Sequence, residues 1–247
     1  MPQGASNKKK YTYVWVSAVI LVFGIFTVVE ITRKLESGSI RDTNRMTGSS
    51  LEDRLSYIVI NGERRRVPQF KLIDQDSSLV TDRDLLGKVY VVDFIFTTCP
   101  TICSKMTANM AELKKAFKND DNFGLASITI NPRYDTPSIL AEYKKRWGPE
   151  IEGWHFLTGQ RDSIFDLAQK GFNIYVNEEA AAPGGFEHSG MFALIDKRGF
   201  LRSRLDRFGN PLIYYRGTIS EAEGVNDEGE PQQITMLKED IKRLLQE

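Results

Sequence analysis

The sequence predicts an α/β protein in which helices flank a mixed β-sheet, preceded by one N-terminal transmembrane helix. A nearly continuous apolar run at 88–96 is typical of a central strand that is buried on both faces. Strand-like segments then alternate with segments of helical spacing, and a hairpin follows late in the chain. The stretch 11–29 is uncharged and mostly apolar, which is about the length needed to cross a membrane.

Composition limits the classes of function. The chain has 247 residues, with 33 Lys and Arg balanced by 33 Asp and Glu, so its formal net charge is zero. No basic field favours nucleic acid, and the hydrophobic and charged fractions are ordinary for a globular protein. When roughly the first 50 residues are set aside, the rest of the chain is long enough for one domain with a sizeable core.

The apolar stretch 11–29 is interpreted as a membrane anchor. Three lysines at 8–10 precede it, so the positive-inside rule predicts a cytoplasmic N-terminus and an exported domain, in the periplasm or intermembrane space. A cleaved signal peptide and a buried core helix are the alternatives. The stretch ends without a small-x-small cleavage site, which favours the anchor. The predicted boundaries are a cytoplasmic 1–10, an anchor 11–29, a polar tether 30–55 and a domain 56–247.

Strands and helices of the domain are predicted from periodicity and turn residues. The predicted strands are 57–60, 70–73, 79–80, 88–96, 124–130, 154–157, 191–196 and 200–205. The predicted helices are 101–117, 137–147, 162–170 and 234–246, with Gly171 closing the third. This order is typical of a thioredoxin-type sheet. Methionines 106 and 110 are expected to pack in the core, and 206–233 is assigned no role.

The two cysteines are Cys99 and Cys103, which follow the strongest predicted strand and open a predicted helix. Residues four apart lie on one face of a helix, and the positive end of a helix dipole favours thiolates. Three roles remain open for the pair. They are a structural disulfide, a dithiol–disulfide redox couple, or two thiolate ligands for a soft metal, with copper(I) the leading candidate.

Two histidines could supply a third ligand. His155 lies in a short apolar segment, where a strand residue without a metal role is the simpler interpretation. His188 lies in a Gly-rich loop before a predicted strand, where its side chain could reach another loop. Two thiolates and one imidazole can hold copper(I), and the same set with an oxygen donor can hold copper(II). Structural zinc would require a fourth protein ligand, and none is evident.

Several motifs together resemble the Sco/SenC family of cytochrome oxidase assembly proteins. The similar segments are Asp93 to Cys103, Ile128 to Pro132, Asp135 to Pro137, Trp154 to Gly159, and His188 before a hairpin strand. The N-terminal anchor fits this family too. The resemblance covers roughly residues 66–205 and the last helix. A Cys-x-x-x-Cys spacing alone is weak, but the combination with a distal histidine and Asp-Thr-Pro is specific.

The resemblance implies a thioredoxin-like fold that binds one copper through Cys99, Cys103 and His188. It also implies a role in building the copper centre of cytochrome c oxidase subunit II, by delivering copper, by reducing the acceptor's cysteines, or both. Asp135 matches an acidic position near the copper loop, although an N-cap role is the simpler expectation. The departures from the family pattern are Thr98, Thr101, Ser104 and Glu187.

Other classes of function stay open on the sequence alone. A thiol–disulfide oxidoreductase usually has Cys-x-x-Cys and a cis-proline directly before the facing strand, whereas Pro183 is far from Met191. This difference weakens a general reductase but leaves reduction of one dedicated partner open. A redox or copper sensor is a further alternative, and a peroxidase is disfavoured because Cys99 belongs to a paired motif.

Overall fold

The computed structural model describes residues 15–17, 19–28, 55–148, 152–206 and 208–247. The chain divides into two units, one N-terminal and one that includes 55–247. In the first unit, 15–17 and 19–28 are helical and their side chains are exposed. Within the described residues, no helix has both the length and the apolar character needed to cross a membrane. The predicted N-terminus 1–10, most of the predicted tether, and parts of the predicted anchor lie outside the described residues.

The second unit is built around one large sheet and two small hairpins. Its strands, in chain order, are β1 Ser56–Tyr57, β2 Val59–Ile60, β3 Glu63–Arg64, β4 Lys71–Asp74, β5 Leu79–Thr81, β6 Val89–Ile95, β7 Phe123–Thr129, β8 Trp154–Thr158, β9 Val176–Glu178, β10 Phe186–His188, β11 Met191–Ile195, β12 Leu201–Ser203 and β13 Tyr215–Arg216. The large sheet has the order β1-β12-β11-β6-β7-β8-β4-β5, with β13 paired to β11. The pairs β2–β3 and β9–β10 are separate.

The centre of the large sheet is parallel and wholly buried. Strands β6, β7 and β8 run parallel to one another, whereas β11 and β4 pair antiparallel on either side. Every residue of β6 and β7 is buried, as expected for parallel strands covered on both faces. The apolar run at 88–96 is therefore confirmed as the central strand. Its carboxyl end leads directly into the cysteine loop.

Four α-helices, one of which continues as a π-helix, are present in the described part of this unit. They are α1 Cys103–Ala116, α2 Pro137–Trp147, α3 Arg161–Asp166, which continues as a π-helix Leu167–Phe172, and α4 Ile234–Gln246. Helix α1 packs against β7 and α4, and α2 packs against β8. Met106 and Met110 are completely buried, so their predicted core role is confirmed. The mixed α/β sheet with flanking helices is confirmed as well.

One predicted helix boundary is wrong, and another is shifted by two residues. Gly171 does not close the third helix, because the chain continues as a π-helix and the left-handed residue at its end is Asn173, with φ 53°. The first helix begins at Cys103, with Ile102 as its N-cap, and not at 101. Cys99 therefore lies in the loop before α1, and its proximity to Cys103 does not come from a shared helix face.

Candidate metal centre

Three elements bring the predicted ligands together. Cys99 lies in the loop after β6, Cys103 is the first residue of α1, and His188 is the last residue of β10. Their donor atoms all lie within 4.8 Å of one another. Sγ of Cys103 is 3.2 Å from Nε2 of His188. Within the described part of the chain, no other group of three or more His, Cys, Asp or Glu side chains is arranged to hold a metal ion.

The two cysteines differ in exposure. Cys103 is 1% exposed and contributes to the core, whereas Cys99 is half-buried at the surface. The Cys99 amide donates to the carbonyl of Phe96 at 3.2 Å, which turns the chain sharply after β6. Sγ of Cys99 also lies 3.5 Å from the hydroxyl of Thr101. Neither cysteine forms a disulfide. A partner molecule would therefore meet Cys99 first.

Asp135 anchors the loop that leads to Cys99. Its carboxylate is completely buried and accepts hydrogen bonds from the Thr97 amide, at 3.1 Å, and from the hydroxyls of Thr97 and Thr129. The predicted N-cap role of Asp135 is wrong. Thr136 caps α2, with its hydroxyl accepting from the Ile139 amide at 3.5 Å. Asp135 instead ties the cysteine loop to the carboxyl end of β7.

Aromatic packing places His188. The Phe96 ring lies 5.9 Å from the His188 ring and 5.2 Å from the Phe186 ring. Nδ1 of His188 is 3.3 Å from the Ser189 carbonyl, which can only accept a hydrogen bond. Nδ1 can therefore donate to this carbonyl, and Nε2 faces the sulfur of Cys103. His188 belongs to a short strand and not, as predicted, to a loop before one.

Gly184 allows the chain before β10 to approach the cysteine loop. Its φ of +77° favours glycine, and a Cβ atom there would lie 2.7 Å from the Phe96 ring and 3.1 Å from Cδ of Pro100. The backbone thus comes closer to the cysteine loop than any larger residue would permit. This contact helps to hold His188 beside the cysteines.

The cysteine pair shares one negative charge. A hydrogen bond from Cys103 lowers the pKa of Cys99 to about 3, and hydrogen bonds from His188 and Thr101 act in the same direction against the effect of burial. The hydrogen bond to Cys99 and then burial raise the pKa of Cys103. The half-buried sulfur of Cys99 is therefore the thiolate, and Cys103 retains its proton in the metal-free pair.

Asp93 is a buried carboxyl in the central strand. It is completely buried, and neither carboxylate oxygen has a hydrogen-bond partner among the described residues. Burial raises the pKa of Asp93 to about 7. Its charge acts on Cys103, whose pKa it raises further. Asp93 was not predicted as a site residue, although a single charge within an apolar strand run is a visible signal.

His155 lies apart from the cysteines. It belongs to β8, its side chain is partly exposed, and Nδ1 lies 3.2 Å from a carboxylate oxygen of Asp74. The prediction that it is a strand residue is confirmed. His155 is not part of the cluster that the cysteines form.

The donor set suits a soft metal. Two sulfur atoms and one imidazole nitrogen are the ligands that copper(I) accepts, and an added oxygen donor would extend the set for copper(II). A structural zinc site would need four protein ligands, and this cluster offers three. The residues present therefore fit copper better than structural zinc.

Fold and site together define a thioredoxin-like protein with a Cys, Cys, His donor set at the end of its central strand. The chain belongs to the SCO1/SenC family, whose sequence model matches residues 60–218. The SCO1 protein homolog of Bacillus subtilis is 32% identical over 157 residues, which are 62% of this chain and 75% of that protein.

Solved structures of the family share this fold. A SCO1/SenC family lipoprotein from Bacillus anthracis has a TM-score of 0.60 and 28% identity, covering 73% of this chain and 95% of that one. BsSco is a member of the Sco family of cytochrome c oxidase assembly proteins and has a disulfide switch. Its structure has a TM-score of 0.57 and 26% identity, and the match covers 72% of this chain and 92% of BsSco. ScoI of Bradyrhizobium japonicum, solved with copper bound, shares the fold with a TM-score of 0.51 and 24% identity. The match covers 57% of this chain and 89% of that one.

Proposed function

We propose that this protein binds one copper ion through Cys99, Cys103 and His188 and helps to metallate the copper centre of cytochrome c oxidase. The observation that carries the proposal is the clustering of the three donor atoms within 4.8 Å, although they come from three separate elements. Membership of the SCO1/SenC family supports it, because BsSco belongs to a family of cytochrome c oxidase assembly proteins.

Copper is the cargo of this site. The Cys99 thiolate is half-buried and can exchange ligands with an incoming partner, while the buried Cys103 and the imidazole of His188 keep hold of the ion. Stepwise exchange onto the thiolates of cytochrome c oxidase subunit II, or of a related acceptor, transfers copper without releasing it to water. Binding requires that Cys103 give up its proton, so copper uptake releases protons.

Oxidation of the pair would control binding. Formation of a Cys99–Cys103 disulfide joins the two sulfurs and removes two electrons and the one proton of Cys103, which the disulfide of a partner accepts as its own S–S bond breaks. The disulfide leaves no thiolate for copper. The relative BsSco has a disulfide switch.

A second candidate function is reduction of the acceptor's cysteines. The low pKa of Cys99 and the buried partner thiol of Cys103 favour it. Cys99 would attack the acceptor disulfide, and Cys103 would then displace the acceptor, so that the acceptor leaves with two thiols and this pair is oxidised. The third alternative, a redox or copper sensor, would use the same site to report to a signalling partner.

We further propose that residues 11–29 anchor the chain in a membrane, with 1–10 in the cytoplasm and 56–247 on the exported side. The lysines at 8–10 and the uncharged length of the stretch support this placement. The polar segment 30–55 would then connect the anchor to the copper-binding domain.

A transfer assay tests the main proposal against the reductase. The full chain in detergent, reduced and loaded with copper, is mixed with the metal-free copper domain of subunit II in its dithiol or its disulfide form. Appearance of the copper-centre absorption in the dithiol form supports delivery. Copper-free protein that converts the disulfide form to dithiol supports reduction. Failure of both reactions would refute the proposed role in oxidase assembly.

A further inference from the structure

The hairpin that carries His188 is a separate two-stranded sheet. Strand β10 pairs antiparallel with β9, and neither strand belongs to the large sheet. Hydrogen bonds at both ends fix its register. The Glu179 amide donates to the Gly185 carbonyl at 3.0 Å, and the Ser189 amide donates to the Tyr175 carbonyl at 3.2 Å. The pairs Glu179–Gly185 and Tyr175–Ser189 are therefore hydrogen-bonded pairs of the antiparallel ladder.

The main chain of β10 has an unpaired edge. Hydrogen-bonded and non-hydrogen-bonded pairs alternate in an antiparallel ladder, so Glu187 faces β9 whereas the N–H and C=O groups of Phe186 and His188 point away from it. Among the described residues, none provides a hydrogen-bond partner for these four groups. The opposite edge is partly occupied, because Gln169 donates to the Val176 carbonyl at 2.9 Å.

A cavity of about 390 Å³ adjoins this strand. All three residues of β10 line it together with Cys99, and most of the remaining lining is apolar or aromatic, including Phe96, Ile102 and Pro183. The cavity therefore extends from β10 to the half-buried Cys99. A molecule that occupies it contacts residues of β10 and Cys99.

We propose that β10 receives an extended, cysteine-bearing segment of the copper acceptor as an added strand. This inference rests on the proposed function and names the surface that the acceptor uses. Alternating unpaired donors and acceptors match the main chain of an extended segment, which is how sheet edges capture partners. The sulfur of Cys99 in the cavity lining matches a partner whose reacting atom is sulfur, and the apolar lining matches an apolar residue beside the partner's cysteine.

The geometry of strand pairing explains why this edge would be useful. Paired strands lie about 4.8 Å apart. His188 supplies both an edge main-chain group and a predicted copper ligand, so a strand paired with β10 lies one strand spacing from a ligand residue. Pairing would thus bring the partner's sulfur close enough for ligand exchange and would fix which of its residues faces Cys99.

Amide hydrogen exchange in a covalently trapped complex tests the inference. The full chain in detergent, as the Cys103→Ser variant, is treated with a short valine- and threonine-rich peptide that contains one cysteine. This cysteine is carried as a mixed disulfide with nitrothiobenzoate. Cys99 attacks the peptide sulfur, a new disulfide forms, and nitrothiobenzoate leaves as a coloured thiolate that counts the product. Glutathione and a proline-substituted peptide, trapped in the same way, are the controls.

The expected result is that the amides of Phe186 and His188 exchange at least about tenfold more slowly in the peptide complex than in either control complex. The amide of Glu178, on the opposite edge of the hairpin, should not change. Equal exchange in all three complexes overturns the inference. So does slow exchange before trapping, combined with a dimeric mass of the protein, because a second copy would then occupy the edge.

Copper binding by the unsubstituted full chain is measured separately. It distinguishes failure of the docking edge from failure of the proposed copper-binding function. Unchanged exchange at Phe186 and His188 with intact copper binding refutes only the docking edge. Absence of copper binding refutes the proposed function, whatever the exchange experiment gives.

Discussion

Asp135 and Thr97 are joined by two hydrogen bonds, in which the amide and the hydroxyl of Thr97 both donate to one buried carboxylate. Thr97 is two residues before Cys99, so Asp135 determines where the cysteine loop leaves β6. The hydroxyl of Thr129 donates to the same carboxylate. Strand β7 is thereby connected to the loop of the candidate metal centre through a single side chain.

Replacement of Asp135 by alanine is expected to destabilise the protein and weaken copper binding together. The buried Thr129 hydroxyl and two donors of the half-buried Thr97 would lose their acceptor, which costs about 1–3 kcal/mol in the free energy of unfolding for each donor that stays unsatisfied. Denaturant unfolding and competition with a copper chelator measure the two effects. Asp135→Asn is the matched control, because it keeps one acceptor oxygen and should lie between the wild type and Asp135→Ala. An Asp135→Ala protein with unchanged copper affinity would contradict the positioning role.

The neighbouring glycines before β10 provide a matched pair of substitutions. Both have positive φ, +77° at Gly184 and +82° at Gly185, but only a Cβ at Gly184 would collide with Phe96; at Gly185 no atom lies within 4 Å. Gly185→Ala should cost about 1–2 kcal/mol from backbone conformation alone. Gly184→Ala should cost roughly 1–3 kcal/mol more, because it overpacks the site.

Unfolding in denaturant measures these costs, and chelator competition shows whether copper binding weakens in the Gly184 variant alone. Equal destabilisation by the two substitutions would mean that the contact between Gly184 and Phe96 has no energetic importance.

Cys99 is expected to remain reactive in acid. Because its pKa in the folded protein is lowered to about 3, its thiolate persists as the pH falls from 8 to 5. Its alkylation rate by iodoacetamide should therefore change little over this range. In denaturant the rate should fall about tenfold for each pH unit below the ordinary cysteine pKa of about 8.5. Mass spectrometry of the modified peptide gives the rate.

The Cys103→Ala variant is the control for this pH profile, because it removes the hydrogen bond that contributes most to the lowered pKa. Its alkylation rate should fall more steeply with acid. A folded wild-type protein that loses tenfold in rate per pH unit between 7 and 5 would show that Cys99 is an ordinary thiol.

His188→Ala is expected to weaken copper(II) binding more than copper(I) binding, since two thiolates can still hold copper(I). The affinity for copper(II) should fall by at least about 100-fold, because even the partners of metal ligands contribute roughly 10–100-fold. His155→Ala is the control and should change neither affinity, because His155 pairs with Asp74 outside the cluster. Equal losses for both oxidation states in His188→Ala would contradict this division of roles.

The sequence predicted the fold well where local pattern and tertiary burial agree. The apolar run of β6 and the proline that opens α2 mark their elements directly, and both are confirmed. The predicted end of the third helix was wrong, because a glycine at 171 is locally typical of a helix C-cap. Packing of Pro68 against Gly171, where a Cβ would lie 3.0 Å from Cγ of Pro68, explains the glycine instead.

The site was only partly predictable. Cys99 and Cys103 are only four residues apart, so their proximity could be predicted from the sequence. The approach of His188 depends on the β9–β10 hairpin, which no local sequence pattern predicts. Asp135 was assigned to the wrong role because Asp-Thr-Pro fits an N-cap, and the contact with Thr97 spans 38 residues. Long-range hydrogen bonds of this kind have no local signal. Asp93 did have a local signal, since it is a lone carboxylate within an apolar strand.

Copper titration of the reduced full chain in detergent tests the central claim most directly. Absorption and electron paramagnetic resonance would report stoichiometry and ligation, with the Cys99→Ala, Cys103→Ala double variant as the reference. We expect one copper per chain with sulfur and nitrogen ligands in the wild type, and no such copper in the double variant. Equal copper binding by both proteins, or none by the wild type, would contradict it.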